Sequence, residues 1–105
     1  MHITTSYSAG RLIIHLSGEL DHHGAREVTR TIDNVLDRYM PRDCALDMSG
    51  VSFMDSSGIA VILKAERHMR ETGGRCSIEN PAIQAMRVID ASGIDRMVPV
   101  RGESR

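Results

Sequence analysis

The hydrophobic period of this chain switches repeatedly between two and 3.6 residues, and that alternation limits the folds open to it. Residues 11–17 place Leu12, Ile14 and Leu16 on one face and Arg11, Ile13 and His15 on the other, which is strand periodicity. Ala25, Val28, Ile32, Val35, Leu36 and Tyr39 then recur at helical spacing, with Asp21 ahead of them as an N-cap and Pro41 as a stop. Residues 44–48 form a short apolar strand, expected to be buried on both faces. A helix over 57–71 follows, with Ile59, Ile62, Leu63 and Met69 inward and Gly73-Gly74 ending it. Residues 75–79 are again strand-like. Asn80 and Pro81 then supply an N-cap and a first helical residue for a third helix striped by Ala82, Ala85, Met86 and Ile89, with Gly93 as its C-cap. Residues 97–100, interrupted by Pro99, read as an edge strand. With a weak polar strand over 3–7, turned at Ala9-Gly10, the order is β-β-α-β-α-β-α-β. Two strand–helix–strand units in series imply parallel pairing with right-handed crossovers. The expected class is therefore α/β, with a mixed sheet and a parallel centre.

A chain of 105 residues is one domain, here 1–105, long enough to bury a core of its own. Tyr7, Tyr39 and Phe53 are its only aromatics, so Ile, Leu, Val, Ala and Met must build that core. A formal charge of −1 gives no concentrated basic face, and no nucleic-acid partner is expected. Arg101 and Arg105 read as a solvated tail. The first residues show neither a basic n-region nor an apolar h-region, and the longest apolar run, 59–63, is far too short to span a membrane. Cys44 and Cys76, each isolated in a strand-like run, read as small buried hydrophobes of a reducing compartment, with a disulfide open only to neighbouring strands. A cytoplasmic protein without a membrane partner is expected.

In sheets of this kind function collects at the carboxyl ends of the strands, where three loops are expected: 18–23, 49–57 and 79–81. The middle one carries Asp55-Ser56-Ser57-Gly58 directly ahead of an apolar helix. A hydroxyl there sits at a helix N-terminus, where free N–H groups and the helix dipole favour negative charge. Helix capping alone explains one polar residue but not the whole block with Phe53 and Met54 beside it. A serine hydrolase would need the Gly-x-Ser-x-Gly elbow, which is absent, and a base from His22 or His23. Adjacent histidines at a helix start project apart and have no third metal ligand at a fixed spacing. No nucleotide-binding glycine pattern occurs, and no cofactor or metal is expected. Asp21 would share the end of the sheet with Asp55, where two carboxylates would oppose a phosphate on a nearby hydroxyl.

Gly18-Glu19-Leu20-Asp21-His22-His23, then Ser52-Phe53-Met54-Asp55-Ser56-Ser57-Gly58, then Asn80-Pro81 through Ser92-Gly93, resemble the anti-sigma factor antagonists of the STAS domain family, sporulation type. The likeness covers almost the whole chain in order. It implies that Ser57, the second serine of the block, is phosphorylated by an anti-sigma factor that is itself a serine kinase and supplies the ATP. It implies further that the unphosphorylated form binds that kinase and releases a sigma factor, that a serine phosphatase restores it, and that the protein is not itself an enzyme. Asp21, His22, His23, Met54, Asp55, Ser56, Gly58, Asn80 and Pro81 would join Ser57 in the partner surface. Many relatives carry a further C-terminal helix beyond the position of Arg105. A STAS subunit of a lipid-transport ATPase complex and a serine hydrolase are the alternatives.

Overall fold

The computed structural model describes residues 1–102, so Arg105 of the expected tail lies outside the described residues. The chain runs β1 (His2–Ser8), β2 (Arg11–Leu20), α1 (Ala25–Tyr39), β3 (Asp43–Met54), α2 (Ser56–Glu71), β4 (Arg75–Glu79), α3 (Ile83–Ser92), a 3-10 turn (Ile94–Arg96) and β5 (Val100–Arg101). The five strands lie in sequence order in one sheet. β1 pairs antiparallel with β2, and the remaining pairs are parallel, the mixed sheet with a parallel centre that the alternation implies.

Register aligns Leu12 with Cys44 and Cys76, and Ile14 with Leu46 and Ile78, so these side chains leave the sheet on one face. They meet Val28, Ile32 and Leu36 of α1, Val61, Ile62, Ala65 and Met69 of α2, and Ala85 and Ile89 of α3 in one continuous core. On α2 the inward set differs from the expected one. Val61 and Ala65 are buried, whereas Leu63 is 40% exposed, because the stripe that fits against the sheet begins at Gly58. α1 ends at Tyr39, with Met40 left-handed ahead of Pro41, and Gly93 takes the left-handed C-cap of α3. The last strand is Val100–Arg101 rather than 97–100. Residues 94–96 wind into a 3-10 turn, and Pro99 serves only as an acceptor, its carbonyl taking the Ile78 N–H.

The opposite face of the sheet is polar. Arg11 pairs with Glu79 across β3, while His15 Nδ1 donates to Asp47 Oδ2 at 2.8 Å. Desolvation raises the Asp47 pKa, but the His15 hydrogen bond, the Ser49 N–H and the His15 charge outweigh it and hold the carboxyl below its ordinary value. A depressed folded pKa means the contribution is present above the unfolded value of about 3.9 and is lost as pH falls through the folded pKa. Asp47→Asn is therefore expected to lower the unfolding free energy at pH 7, followed by urea denaturation, by on the order of 1 kcal/mol for a partly exposed pair. The loss should shrink as the pH is lowered toward 2.5, through the depressed carboxylate range. An equal loss at both pH values would show that charge at Asp47 contributes nothing.

Candidate functional site

β3 continues from 48 to 54 beyond Asp47, its last residue paired with β4, and pairs there with β2 alone. The expected loops 18–23 and 49–57 are thus strand as far as Leu20 and Met54. Two bulges make this ladder. Between His15 and Ser17, β3 uses one residue more than β2, and it does so again between Gly18 and Glu19. Each bulge resets the pleat, so the buried residues fall at Met48, Val51 and Met54. Gly50 is needed at the first bulge: a Cβ there would lie 2.7 Å from Ser17 Cβ and 3.1 Å from the Leu16 carbonyl. Where β4 no longer reaches, a side chain takes its place. The Met54 N–H donates to Gln84 Oε1 at 2.8 Å, and Gln84 Nε2 donates to the Met54 carbonyl at 2.9 Å. The first turn of α3 thereby pins the end of β3.

A single residue, Asp55, separates β3 from α2. Its backbone N–H donates to the Leu20 carbonyl at 3.4 Å, and its Oδ1 accepts the Ser57 N–H at 2.8 Å as the N-cap of α2. Ser56 and Ser57 are the first two helical residues. They face different surroundings. Ser56 is exposed on the apolar groove between α2 and α3, beside Ile59 and Val88. Ser57 is half-buried in the groove between α1 and α2, lined also by His22, Arg26 and Lys64.

Gly58 lets the helix sit on the strand ends. A Cβ at this position would fall 2.3 Å from Met54 Cγ, 2.6 Å from Met54 Sδ and 3.2 Å from Leu20 Cδ2, and Met54 and Leu20 are fully buried. Gly58→Ala should gain about 1 kcal/mol of helix propensity. It should lose about 1–3 kcal/mol to overpacking, for a net destabilisation. Chemical denaturation checks this, and a more stable variant would contradict the close approach.

The turn before α1 adds two more groups. Asp21 does not cap α1, contrary to expectation. α1 starts at Ala25 with Gly24 at the cap, and Asp21 instead folds the turn, its Oδ1 accepting the His23 N–H at 3.1 Å and its carbonyl the Ala25 N–H at 3.1 Å. Desolvation raises the Asp21 pKa, but the His23 and Gly24 backbone hydrogen bonds and the His23 charge prevail and keep the carboxyl below its ordinary value. Rather than projecting apart, the His22 and His23 rings lie with centroids 4.1 Å apart, tilted by 35°, and each faces its own carboxylate: His22 Nδ1 lies 3.9 Å from Asp55 Oδ2, and His23 Nδ1 lies 3.7 Å from Asp21 Oδ1. The structure therefore joins the 21–23 turn to Asp55, Ser57 and Gly58. Among the described residues no three His, Cys, Asp or Glu side chains gather as metal ligands.

Asn80 and Pro81 are placed otherwise. Asn80 is not an N-cap, since α3 begins at Ile83 with Ala82 at the cap. Asn80 is left-handed and donates its N–H to the Arg101 carbonyl, which ties it to β5 at the short end of the sheet, below the β2–β3 overhang. Pro81 is buried beside it. Gln84, Leu20, Arg26 and Lys64 are the site residues that sequence reasoning missed. Only the helical spacing of Gln84 from Pro81 carried any sign of its inward turn.

The STAS domain family matches residues 2–104. The anti-sigma F factor antagonist of Paenibacillus polymyxa is 33% identical over 102 residues, covering 95% of this chain and 86% of that protein. The anti-sigma F factor antagonist of Lysinibacillus sphaericus is 31% identical over 83 residues, covering 79% and 71%. Among solved structures, the anti-sigma factor antagonist SpoIIAA in its unphosphorylated form superposes with a TM-score of 0.80 at 25% identity, covering 97% of this chain and 90% of that one. SpoIIAA has also been solved in a phosphorylated form, which superposes with a TM-score of 0.71 at 25% identity, covering 97% and 93%.

Proposed function

The chain belongs to the STAS domain family, and from that premise we propose that it is an anti-sigma factor antagonist switched by phosphorylation of Ser57. The unphosphorylated form binds an anti-sigma factor that is a serine kinase and displaces the sigma factor from it. Transfer of phosphate from the kinase's ATP to Ser57 Oγ ends the complex, and a serine phosphatase restores the binding form. The protein is a binding module and a kinase substrate rather than an enzyme, and it acts in the cytoplasm, where sigma factors work. The names of its relatives favour an anti-sigma F type partner. Serine rather than threonine at position 57 favours this reading over the transport-subunit alternative.

The observation that carries the reading is the position of Ser57 as the second residue of α2, on a corner built by two strand ends. Phosphate there adds about −1.5 to −2 charges. The helix start and the groove's cations, Arg26 from α1 and Lys64 from α2 itself, accommodate that charge, so the fold is retained. A partner that has covered the same corner must desolvate the charge, at a cost of several kcal/mol. Removal of binding is thus electrostatic and steric rather than a refolding. Between the two serines, Ser57 faces the cationic groove and Ser56 the apolar one. Asp21, His22, His23, Met54, Asp55, Ser56 and Gly58 form the surrounding docking surface, with Asn80 and Pro81 at its margin. The test is displacement: unphosphorylated protein should release sigma factor from the cognate anti-sigma factor, and the phosphorylated protein should not. Failure of the unphosphorylated protein to bind the anti-sigma factor would overturn the proposal.

A further inference from the structure

Cys44 on β3 and Cys76 on β4 are direct partners in the parallel ladder, so their side chains leave the sheet on the same face. Neighbouring strands stand about 4.8 Å apart, inside the roughly 4.4–6.8 Å Cα separation that a disulfide bridges. Both cysteines are free. The two thiols differ in access: Cys44 is 1% exposed and Cys76 8%. β5 pairs only with Ile78 and Glu79, which leaves the edge of β4 at 75–77 uncovered. A cavity of about 290 Å³ opens at that edge, and Cys44 and Cys76 line it together with Arg11, Arg70, Arg75 and Arg101.

We propose that Cys44 and Cys76 form a reversible dithiol–disulfide pair, oxidised by peroxide entering through this arginine-lined cavity. Access to the thiols is narrow enough to favour a small oxidant over a bulky disulfide. Cys76 reacts first, because it is the more exposed thiol, while the adjacent Cys76 thiol and burial push the Cys44 thiol up and keep it protonated. Cys76 loses its proton, and its sulfur attacks one peroxide oxygen. The O–O bond breaks, a sulfenic acid forms, and the departing hydroxide takes the proton to leave as water. Cys44 sulfur then attacks Cys76 sulfur, the S–O bond breaks, and the hydroxyl leaves as a second water with the Cys44 proton. Two thiols have lost two electrons and two protons, and one peroxide has become two waters. The cross-link lies at the amino ends of β3 and β4, whereas Ser57 follows the carboxyl end of β3. Oxidation therefore braces the sheet without covering the serine corner, and the proposal stands apart from the reading of Ser57.

The test is intact mass and non-reducing tryptic mapping of the full chain after hydrogen peroxide. The expected result is loss of two hydrogens from the monomer, a cross-link between peptides 43–64 and 76–87, and full reversal by dithiothreitol. In the presence of dimedone, Cys44→Ala should trap a sulfenic acid at Cys76, and Cys76→Ala should trap none at Cys44. Unchanged mass of the native protein, or cross-linking only between chains, would overturn the proposal whether or not either variant folds.

Discussion

Ser57→Asp is expected to weaken binding to the anti-sigma factor by roughly tenfold to a hundredfold, about 1.4–2.8 kcal/mol, while leaving the fold intact. The two effects separate because they use the same charge in different surroundings. In the free protein an aspartate at the second position of α2 meets the positive end of the helix dipole, which contributes about 0.3–1 kcal/mol of stability. In the complex the same carboxylate sits under a partner and must be desolvated. One carboxylate carries less charge than a phosphate, so the phosphorylated protein should lose more affinity than the variant. Ser57→Ala should bind in the presence of kinase and ATP and never be released. Titration calorimetry against the anti-sigma factor, beside thermal melts of the three proteins, checks both halves. A Ser57→Asp protein that binds like wild type, or that unfolds, contradicts the account.

The largest expected effect on stability lies at the centre of the sheet. Leu46 is fully buried on β3 between Ile14 and Ile78, with the helices packed over that face. Leu46→Ala should cost about 2–5 kcal/mol, lowering the thermal midpoint by roughly 10–20 °C in a domain of this size. Leu63→Ala, on the same type of residue, should cost under about 1 kcal/mol, because Leu63 is 40% exposed. Urea denaturation of the two variants side by side decides the orientation of α2. Equal losses would mean that Leu63 is part of the core, as its apolar neighbours suggest from sequence alone.

That contrast shows where the sequence is legible. Leu12, Ile14 and Leu16 on β2, and Val28, Ile32 and Leu36 on α1, keep a strict period and stand in the structure as their spacing predicts. The alternation of strands and helices also dictated the parallel centre of the sheet. The far end of β3 does not follow such a rule. Its two bulges space Met48, Val51 and Met54 three apart, which erases the period of two and makes a strand resemble a loop. The run Ile59 to Leu63 is apolar all round, so its sequence does not say which side is buried, and the answer comes from Gly58 fitting against Met54 and Leu20. Asp21 and Asn80 misled for a shared reason. Both residue types serve equally well at N-caps and in turns, and here the turn wins, through the His23 N–H for Asp21 and a left-handed backbone for Asn80.

The site was legible as a composition and less so as a geometry. Asp-Ser-Ser-Gly before an apolar helix announced a capped, charge-accepting turn, and Asp55 does cap α2. The clamp of Gln84 on Met54 and the cationic groove that holds Ser57 join segments far apart in sequence. No local pattern could announce them.

The central claim is that Ser57, and not its neighbour, carries the switch. Incubation of the protein with ATP and the cognate anti-sigma factor, followed by fragmentation of peptide 43–64, tests it most directly. The account predicts one phosphate, on Ser57, and none on the Ser57→Ala protein. Phosphate on Ser56, or no phosphate at all, would contradict it.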